Sequence, residues 1–351
     1  MGKKVVFILG SLGAGGSERV FWLLAQHFNN RGYNVSIVVL NGGEKCYSTD
    51  IPGITFIDLQ TIRASKSFIK LYRLLKSIKP DVVFSTVDHI NLLLGILTWF
   101  IKLPVAIARA SNSPTKMKEY YKGKERLFNS FTRLLLSRMK YIVCQTKEME
   151  TELKLVYKLN LIKLKVIANP VLMNNIVAKH THTNNKRLIA VGRLSPEKGI
   201  DKLLQIMSAL PSNYYLDILG DGPLMVSLLA DTKRLKLTDR VRFLGKVIDV
   251  TSHLVKSDLL LLTSITEGFP NVVLEALSTG VPVVCYSVGG ASELIINGVN
   301  GYIVEQDDAQ QFKEKVLLAC AQVWPHQQIK SDTYKKFELS QIGRQYELLI
   351  N

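Results

Sequence analysis

The chain has only four cysteines, Cys46, Cys144, Cys285 and Cys320. None forms a Cys-x-x-Cys pair or a metal-ligand spacing, which argues against a disulfide framework or zinc centre and suits a reducing compartment. No Asp-x-Asp occurs, so no paired carboxylates are spaced to carry a divalent cation between phosphates. Aromatic residues make up 8% of the chain, and few of them interleave with the basic segments. With no nucleic-acid motif to add, a nucleic-acid-binding protein is the weaker reading of the high isoelectric point. Long apolar runs are missing too. The longest, Asn91 to Ile101, is about half the ~20 residues needed to span a bilayer. The opening apolar run, about six residues, is shorter than the ~7–15 of a signal peptide, and Val6 stands where myristoylation needs Ser or Thr. A cytoplasmic location is expected. Low-complexity tracts and internal repeats are absent as well.

What is present is the composition of a globular protein, 47% hydrophobic and 21% charged over 351 residues. That length suits two domains of roughly 100–200 residues. Acid is scarce in the first half. Residues 1–175 carry 26 Lys and Arg against 11 Asp and Glu, a net +15, whereas the remaining residues carry 19 against 18. A basic half joined to a neutral one points to an anionic partner for the first half only.

Short Val- and Ile-rich runs alternate with helix-period segments throughout. They are Val5–Leu9, Val35–Leu40, Ile54–Ile57, Val82–Phe84, Val105–Ala108 and Tyr141–Cys144 in the first half. Leu188–Val191, Leu216–Leu219, Val241–Leu244, Leu259–Leu262 and Val283–Cys285 follow in the second. Uninterrupted apolar strands between helices indicate parallel sheets covered on both faces. The fold class expected is therefore α/β, two Rossmann-like doubly wound domains whose strand carboxyl ends face a central cleft. The junction is placed between Asn169 and Pro170, ahead of the polar stretch Lys179–Lys186. Residues 1–169 and 170–332 would form the domains, and 333–351 a terminal helix packing back on the first.

Four stretches have the composition of a ligand site. Gly10 to Arg19 (Gly-Ser-Leu-Gly-Ala-Gly-Gly-Ser-Glu-Arg) follows the first strand and opens a helix with Ser17 as a plausible N-cap. Glycines let a backbone approach a ligand, and amides at a helix start attract phosphate; a plain strand-to-helix turn is the alternative. In Val191 to Gly199 (Val-Gly-Arg-Leu-Ser-Pro-Glu-Lys-Gly), Ser195 and Pro196 suit an N-cap and first helical position. Arg193 and Lys198 then crowd the positive end of a helix, mildly unfavourable unless a pyrophosphate lies between them; two solvated surface cations are the bland alternative. Glu267 to Glu275 (Glu-Gly-Phe-Pro-Asn-Val-Val-Leu-Glu) follows another strand. Pro270 fits a first helical position, leaving the amides of Asn271 to Val273 unpaired between two carboxylates. Such carboxylates can hold sugar and ribose hydroxyls, or serve as an acid/base pair. Finally, Gly220-Asp221-Gly222-Pro223 and Gly245-Lys246-Val247 lie at strand ends where a base can stack, or form ordinary turns.

Taken in chain order, the glycine loop with Ser-Glu-Arg-Val, Gly-Arg-Leu-Ser-Pro-Glu-Lys-Gly, Gly-Asp-Gly-Pro and Glu-Gly-Phe-Pro-Asn-Val-Val-Leu-Glu resemble the family 4 retaining glycosyltransferases of the GT-B fold over nearly the whole chain, Glu267 and Glu275 being the family's Glu-x7-Glu. The resemblance implies a glycosyltransferase with a nucleotide sugar as donor and no metal. Gly15 and Gly16 would approach donor phosphate or sugar, while Arg193 and Lys198 would neutralise the pyrophosphate and stabilise the leaving nucleoside diphosphate. Val247 would meet the base through its backbone, near Asp221. Glu267 would hold donor-sugar hydroxyls and Glu275 the ribose, with Gly268, Phe269, Asn271, Val272 and Val273 lining the site through backbone amides. His89 is a candidate contact to the donor sugar, or a helix-start histidine beside Asp88 as cap. Arg109 and Asn112 are acceptor-side candidates. The departing phosphate is thought to take the acceptor's proton, so no protein base is required.

Similarity is greatest to bacterial enzymes that extend undecaprenyl-diphosphate-linked oligosaccharides in O-antigen, capsule or glycan assembly, which commonly use UDP-sugars. That implies a lipid-diphosphate-linked saccharide acceptor and, with the charge asymmetry, an anionic inner membrane surface as partner. Arg63–Lys79 and Lys116–Lys140 are basic and amphipathic and can lie on such a surface, or be ordinary packed helices. A nucleotide-sugar-binding regulator without catalysis is the other function considered.

Overall fold

The structure is a computed structural model describing residues 2–13, 15–43, 46–61, 64–111, 125–178 and 184–351. Asn112 and Lys116–Lys124, named above, lie outside the described residues. The chain divides into two units, the first made of residues 1–172 and 339–351 and the second of 173–338.

The first unit is a seven-stranded parallel sheet in the order β3-β2-β1-β4-β5-β6-β7. Its strands are β1 (Lys4–Leu9), β2 (Asn34–Val39), β3 (Ile54–Asp58), β4 (Val82–Thr86), β5 (Val105–Arg109), β6 (Tyr141–Cys144) and β7 (Leu164–Val166). The helices are α1 (Gly16–Asn30), α2 (Ala64–Ile78), α3 (Asp88–Leu97), α4 (Glu125–Leu136) and α5 (Lys147–Tyr157). Each expected apolar run is a strand. The seventh strand was not expected, because three residues interrupted by Lys165 offer no apolar run.

Strand alternation divides the core. Val5, Phe7 and Leu9 face α1, whereas Val6 and Ile8 face the layer that includes Leu71, Leu75 and Leu94 of α2 and α3. On the α1 side Phe7 stacks on Phe84 at 4.9 Å and meets Phe21 edge-on at 5.3 Å. Each of these rings is fully buried, and burying an aromatic side chain removes roughly 150–250 Å² from water.

In the second unit β8 (Lys186–Val191), β9 (Tyr214–Leu219), β10 (Val241–Gly245), β11 (Leu259–Leu262), β12 (Val283–Tyr286) and β13 (Gly301–Val304) form a parallel sheet ordered β10-β9-β8-β11-β12-β13. Its helices are α6 (Ile200–Ser208), α7 (Met225–Arg234), α8 (Val250–Leu254), α9 (Asn271–Ser278), α10 (Ala291–Leu294), α11 (Ala309–Ala321) and α12 (His326–Phe337). Strand β13 was also unforeseen, being only four residues long.

The terminal segment corrects the expected boundaries. It is two helices, not one: α12 stays with the second unit, and only α13 (Leu339–Leu348) joins the first. The units divide at 172/173 and 338/339, instead of 169/170 and 332/333. Helix α13 is held on α1 by the Glu347 carboxylate, which accepts from His27 at 2.7 Å and Arg31 at 3.3 Å. The two helices approach closely because Gly343 has no Cβ to strike the His27 ring.

Both sheets reverse their winding between two central strands, β1 and β4 in the first and β8 and β11 in the second. Loops leaving the carboxyl ends at such a switch point diverge and open a crevice, where doubly wound sheets bind ligands.

Candidate functional site

At the switch point of the second sheet, β8 leads into Gly192 to Gly199 and β11 into Thr263 to Glu267. These loops converge on one carboxylate. Glu267 Oε1 accepts from Lys198 Nζ at 2.6 Å and from Ser264 Oγ at 2.7 Å. Both members of the ion pair keep some exposure, 24% for Lys198 and 13% for Glu267. A charge-assisted pair at the edge of water holds its geometry yet can exchange partners when an anion arrives.

The backbone fixes the lysine loop. Pro196 to Lys198 form a single 3-10 turn with Ser195 as its N-cap, and Gly199, at φ +59°, lets the chain turn into α6. The Ile265 amide donates to the Glu197 carbonyl at 2.9 Å, and Thr263 Oγ1 donates to Gly199 at 2.9 Å, joining the two loops. Ser195 bonds the Glu197 carboxylate. Burial raises that carboxyl's pKa, but the Ser195 hydroxyl, a backbone bond and the Lys198 and Arg193 charges outweigh it and hold it below the ordinary value.

The Gly-Asp-Gly-Pro stretch is a buttress for the same loop. Leu194 donates to the Asp221 carbonyl at 3.0 Å, and Leu224 donates to the Leu194 carbonyl at 3.0 Å. Gly220 has φ +136°, and a Cβ there would overlap the Gly192 carbonyl oxygen; one on Gly222 would overlap that of Leu194. Only glycine lets these backbones meet. Asp221 is exposed, with its carboxylate on the Gly222 amide at 2.7 Å.

Helix α9 starts at Asn271, so Pro270 is its N-cap rather than its first residue. The Val273 amide is not unpaired as expected: it donates to the Pro270 carbonyl at 3.0 Å. Phe269 is buried against Phe337, with ring centroids 6.3 Å apart, so its side chain belongs to the core. Gly268, Asn271, Val272 and Glu275 are half-buried along the same loop and helix, Arg193 is exposed, and Val247 is half-buried after β10.

Several groups around Glu267 escaped the sequence reading. Besides Ser264, Gln306 Nε2 ties the Ser264 carbonyl (3.1 Å) to that of Ser287 (3.0 Å). Gly289 packs against the loop, where a Cβ would lie 2.6 Å from the Glu267 carbonyl. The Gly289-Gly290 pair after β12 is the signal that could have found this wall.

At the first sheet's switch point, helix α1 begins at Gly16 with Gly15 as N-cap; Ser17 sits in the first turn and is not the cap. Ser17 Oγ donates to Ser111 Oγ at 2.9 Å, and Ser111 also meets Thr86 Oγ1 at 2.9 Å. The Val87 amide donates to the same Ser111 oxygen at 3.3 Å. Val87 has φ +61° and ψ 146°, a strained conformation for a β-branched residue. Such strain collects where a site needs a set backbone. Val87, not Asp88, is the N-cap of α3, and His89 occupies its first turn with Nε2 3.9 Å from where a Gly10 Cβ would stand. Partial burial lowers the His89 pKa, against the opposing pull of Asp88, which favours the neutral imidazole at pH 7.

Arg109 lies elsewhere than expected. It is 1% exposed, with Nη2 on Asn169 Oδ1 and Nη1 3.4 Å from Thr86 Oγ1. Burial lowers its pKa while Tyr346 of α13 and Glu18 raise it. Glu18 in turn has its carboxyl pushed up by burial, against a backbone bond and the Arg109 charge. Arg109 is a core cation behind the strand ends, with no surface from which to meet an acceptor. Among the described residues no cluster of three or more His, Cys, Asp or Glu side chains gathers to hold a metal, and no helix is long and apolar enough to cross a membrane.

Known families match both halves of this geometry. Residues 14–173 match Glycosyltransferase Family 4, and residues 173–335 match Glycosyl transferases group 1. A Campylobacter jejuni relative, GalNAc-alpha-(1->4)-GalNAc-alpha-(1->3)-diNAcBac-PP-undecaprenol alpha-1,4-N-acetyl-D-galactosaminyltransferase, is 28% identical over 99% of this chain and 98% of its own. The Escherichia coli UDP-Gal:alpha-D-GlcNAc-diphosphoundecaprenol alpha-1,3-galactosyltransferase is 27% identical over 73% of this chain and 70% of its own. Among solved structures, Anabaena HepE in complex with UDP-glucose superposes with a TM-score of 0.82 at 20% identity, covering 99% of both chains. The shared architecture is GT-B.

Proposed function

Because the chain belongs to the glycosyltransferases that join a family 4 domain to a group 1 domain, we propose that it moves a hexose or N-acetylhexosamine from a UDP-sugar to a lipid-diphosphate-linked saccharide, with retention and without a metal. The observation that carries this reading is the Lys198–Glu267 pair at the switch point of the second sheet. A nucleoside diphosphate leaving group needs positive charge where the bond to the anomeric carbon breaks, and Lys198, with Arg193 on the same loop, supplies it. Preorganised charge of this kind stabilises a developing anion without reorganisation during the reaction. As Lys198 turns to the diphosphate, Glu267 is released to accept from donor-sugar hydroxyls, while Ser264 keeps it oriented. The bond from anomeric carbon to phosphate oxygen breaks, and that from anomeric carbon to acceptor oxygen forms on the same face. The acceptor's proton passes to the departing phosphate. The cationic loop would then do electrostatic work that a metal does elsewhere.

Asp221, Val247 and Glu275 are assigned to the nucleoside side, Gly15, Gly16 and His89 to the donor on the first-unit side, and Asn112 to the acceptor. The lipid-linked acceptor is supported by the names of the relatives, and surface polysaccharide assembly at an inner membrane face is the setting it implies.

A panel of UDP-sugars tested with a short-chain lipid-diphosphate saccharide, with product anomers read by NMR, decides the reading. One donor should give an α-linked product from an α-donor at a rate unchanged by excess EDTA. An inverted product would remove the retaining assignment, and loss on chelation restored by Mg²⁺ or Mn²⁺ would remove the metal-free one. Donor binding with neither transfer nor hydrolysis would leave a regulator.

A further inference from the structure

We propose that one face of the first unit docks on an anionic lipid bilayer, with Trp99 and Phe100 as the residues that enter it. The proposal rests on the lipid-linked acceptor argued above and names where the protein meets that membrane.

Helix α3 packs between α2 and α4. It meets α4 closely at Gly95, where a Cβ would lie 2.8 Å from the Leu135 Cβ. The chain then leaves α3 through Thr98-Trp99-Phe100. Arg138 Nη2 donates to the Thr98 carbonyl at 3.3 Å and fixes this turn beside the end of α4. The Phe100 ring rests edge-on against Phe68 of α2 at 5.5 Å. Although anchored, the turn presents its aromatics to solvent: Trp99 is 48% exposed and Phe100 60%. Ile69 of α2, at 60%, and Phe131 and Leu134 of α4, at 45% and 49%, are exposed on the flanking helices. Scattered apolar residues are ordinary on a surface, but five large ones on three packed elements mark a binding face.

The surrounding charge identifies the occupant. Lys66 and Arg73 on α2, Lys102 after the turn, and Arg133 and Arg138 at the end of α4 are all exposed. Residues 59–80, 98–111 and 126–147 contain no Asp or Glu. Exposed apolar residues and exposed cations carried on the same elements match a bilayer with anionic headgroups, where aromatic side chains favour the interface and basic ones the headgroups. A second copy of the chain would set one group of cations against another. A nucleic acid would satisfy the cations but leave Ile69, Phe131 and Leu134 without a use.

The test uses the full chain and vesicles of phosphatidylcholine with or without phosphatidylglycerol. Binding should require phosphatidylglycerol and fall as salt shortens the screening length from ~10 Å at 0.1 M to ~3 Å at 1 M. Replacing Lys66, Arg73 and Lys102 together with Gln should weaken partitioning by about 100-fold, at the roughly fivefold that each cation contributes. Brominated lipid should quench the parent's fluorescence, and Trp99→Phe should abolish that quenching. Trp324 is buried and Trp22 donates to the Ser48 carbonyl on another part of the unit, so neither should report insertion. Trp99→Ser/Phe100→Ser should bind more weakly while transferring sugar to a soluble short-chain acceptor at the parent's rate. Vesicle binding without quenching of Trp99 would overturn the proposal and leave membrane association to the Lys116–Lys124 segment. Binding to neither vesicle would overturn both, and so would a dimer in solution abolished by the double serine variant. No transfer to the soluble acceptor by the parent would defeat the transferase reading while leaving the vesicle result intact.

Discussion

The two units share a winding order and use charge in opposite ways. In the first, a cation is sealed behind the strand ends: Arg109 is 1% exposed and lies near a carboxyl, Glu18, whose pKa burial has raised. In the second, the cations sit at the rim, where Lys198 holds Glu267 with both still partly exposed, and Glu197 is kept below its ordinary pKa. Buried charge serves the fold, because its removal strands polar partners. Rim charge is free to serve a ligand, as the proposed function requires, because it can exchange partners at little cost.

This contrast breaks if the two cations prove interchangeable in effect. Arg109→Ala should destabilise the protein by about 3 kcal/mol, since it removes a donor to the Asn169 amide oxygen and leaves a cavity where a fully buried side chain stood. Thermal or urea unfolding measures this, and a loss below about 1 kcal/mol would mean that Arg109 is not the buried keystone described. Glu267→Gln should do the reverse. Turnover falls by about 10²-fold or more, while the melting temperature barely moves. A folded variant with parental turnover would take Glu267 out of the site.

The smallest effects sharpen the comparison through their sign. A carboxyl with a raised folded-state pKa contributes stability that is present below its unfolded pKa and lost as pH rises through the folded one. Glu18→Gln should therefore leave stability unchanged well below pH 4.5 and raise it relative to the parent as pH climbs above that value. Glu197 has its folded pKa lowered, so its contribution is present above the unfolded value and lost as pH falls through the folded one. Glu197→Gln should cost stability at pH 7, with the cost fading below pH 4.5. Parallel pH profiles for the two variants would show that the carboxyls share one environment, contrary to the geometry.

Much of this was legible from local pattern. Eleven apolar runs became strands because a parallel strand covered on both faces must be apolar throughout. Lys198 and Glu267 were identified because their residue types follow strand ends next to glycine and proline. Short edge strands such as β7 and β13 left too few apolar residues to read. Ser264 and Gln306 were missed because a serine or glutamine carries no sign of the carboxylate or carbonyl it will meet. The expected N-caps at Ser17 and Asp88 moved to Gly15 and Val87, where backbone conformation, not side-chain preference, set the helix start.

The sequence by itself determined the alternation of strand and helix, the glycine positions at Gly220 and Gly222, and the charge difference between halves, since these depend on residue type and spacing alone. Only the tertiary structure decided which cations face water. Arg109 ends one apolar strand and Arg193 closely follows another, and the two look alike in the chain. One is enclosed because Tyr346, brought from the far end of the sequence by α13, lies over its strand end. The other stays exposed on a loop that Gly220 and Gly222 support from behind. Burial is a property of what packs on a residue, and Tyr346 stands 237 residues along the chain from the Arg109 it helps to enclose.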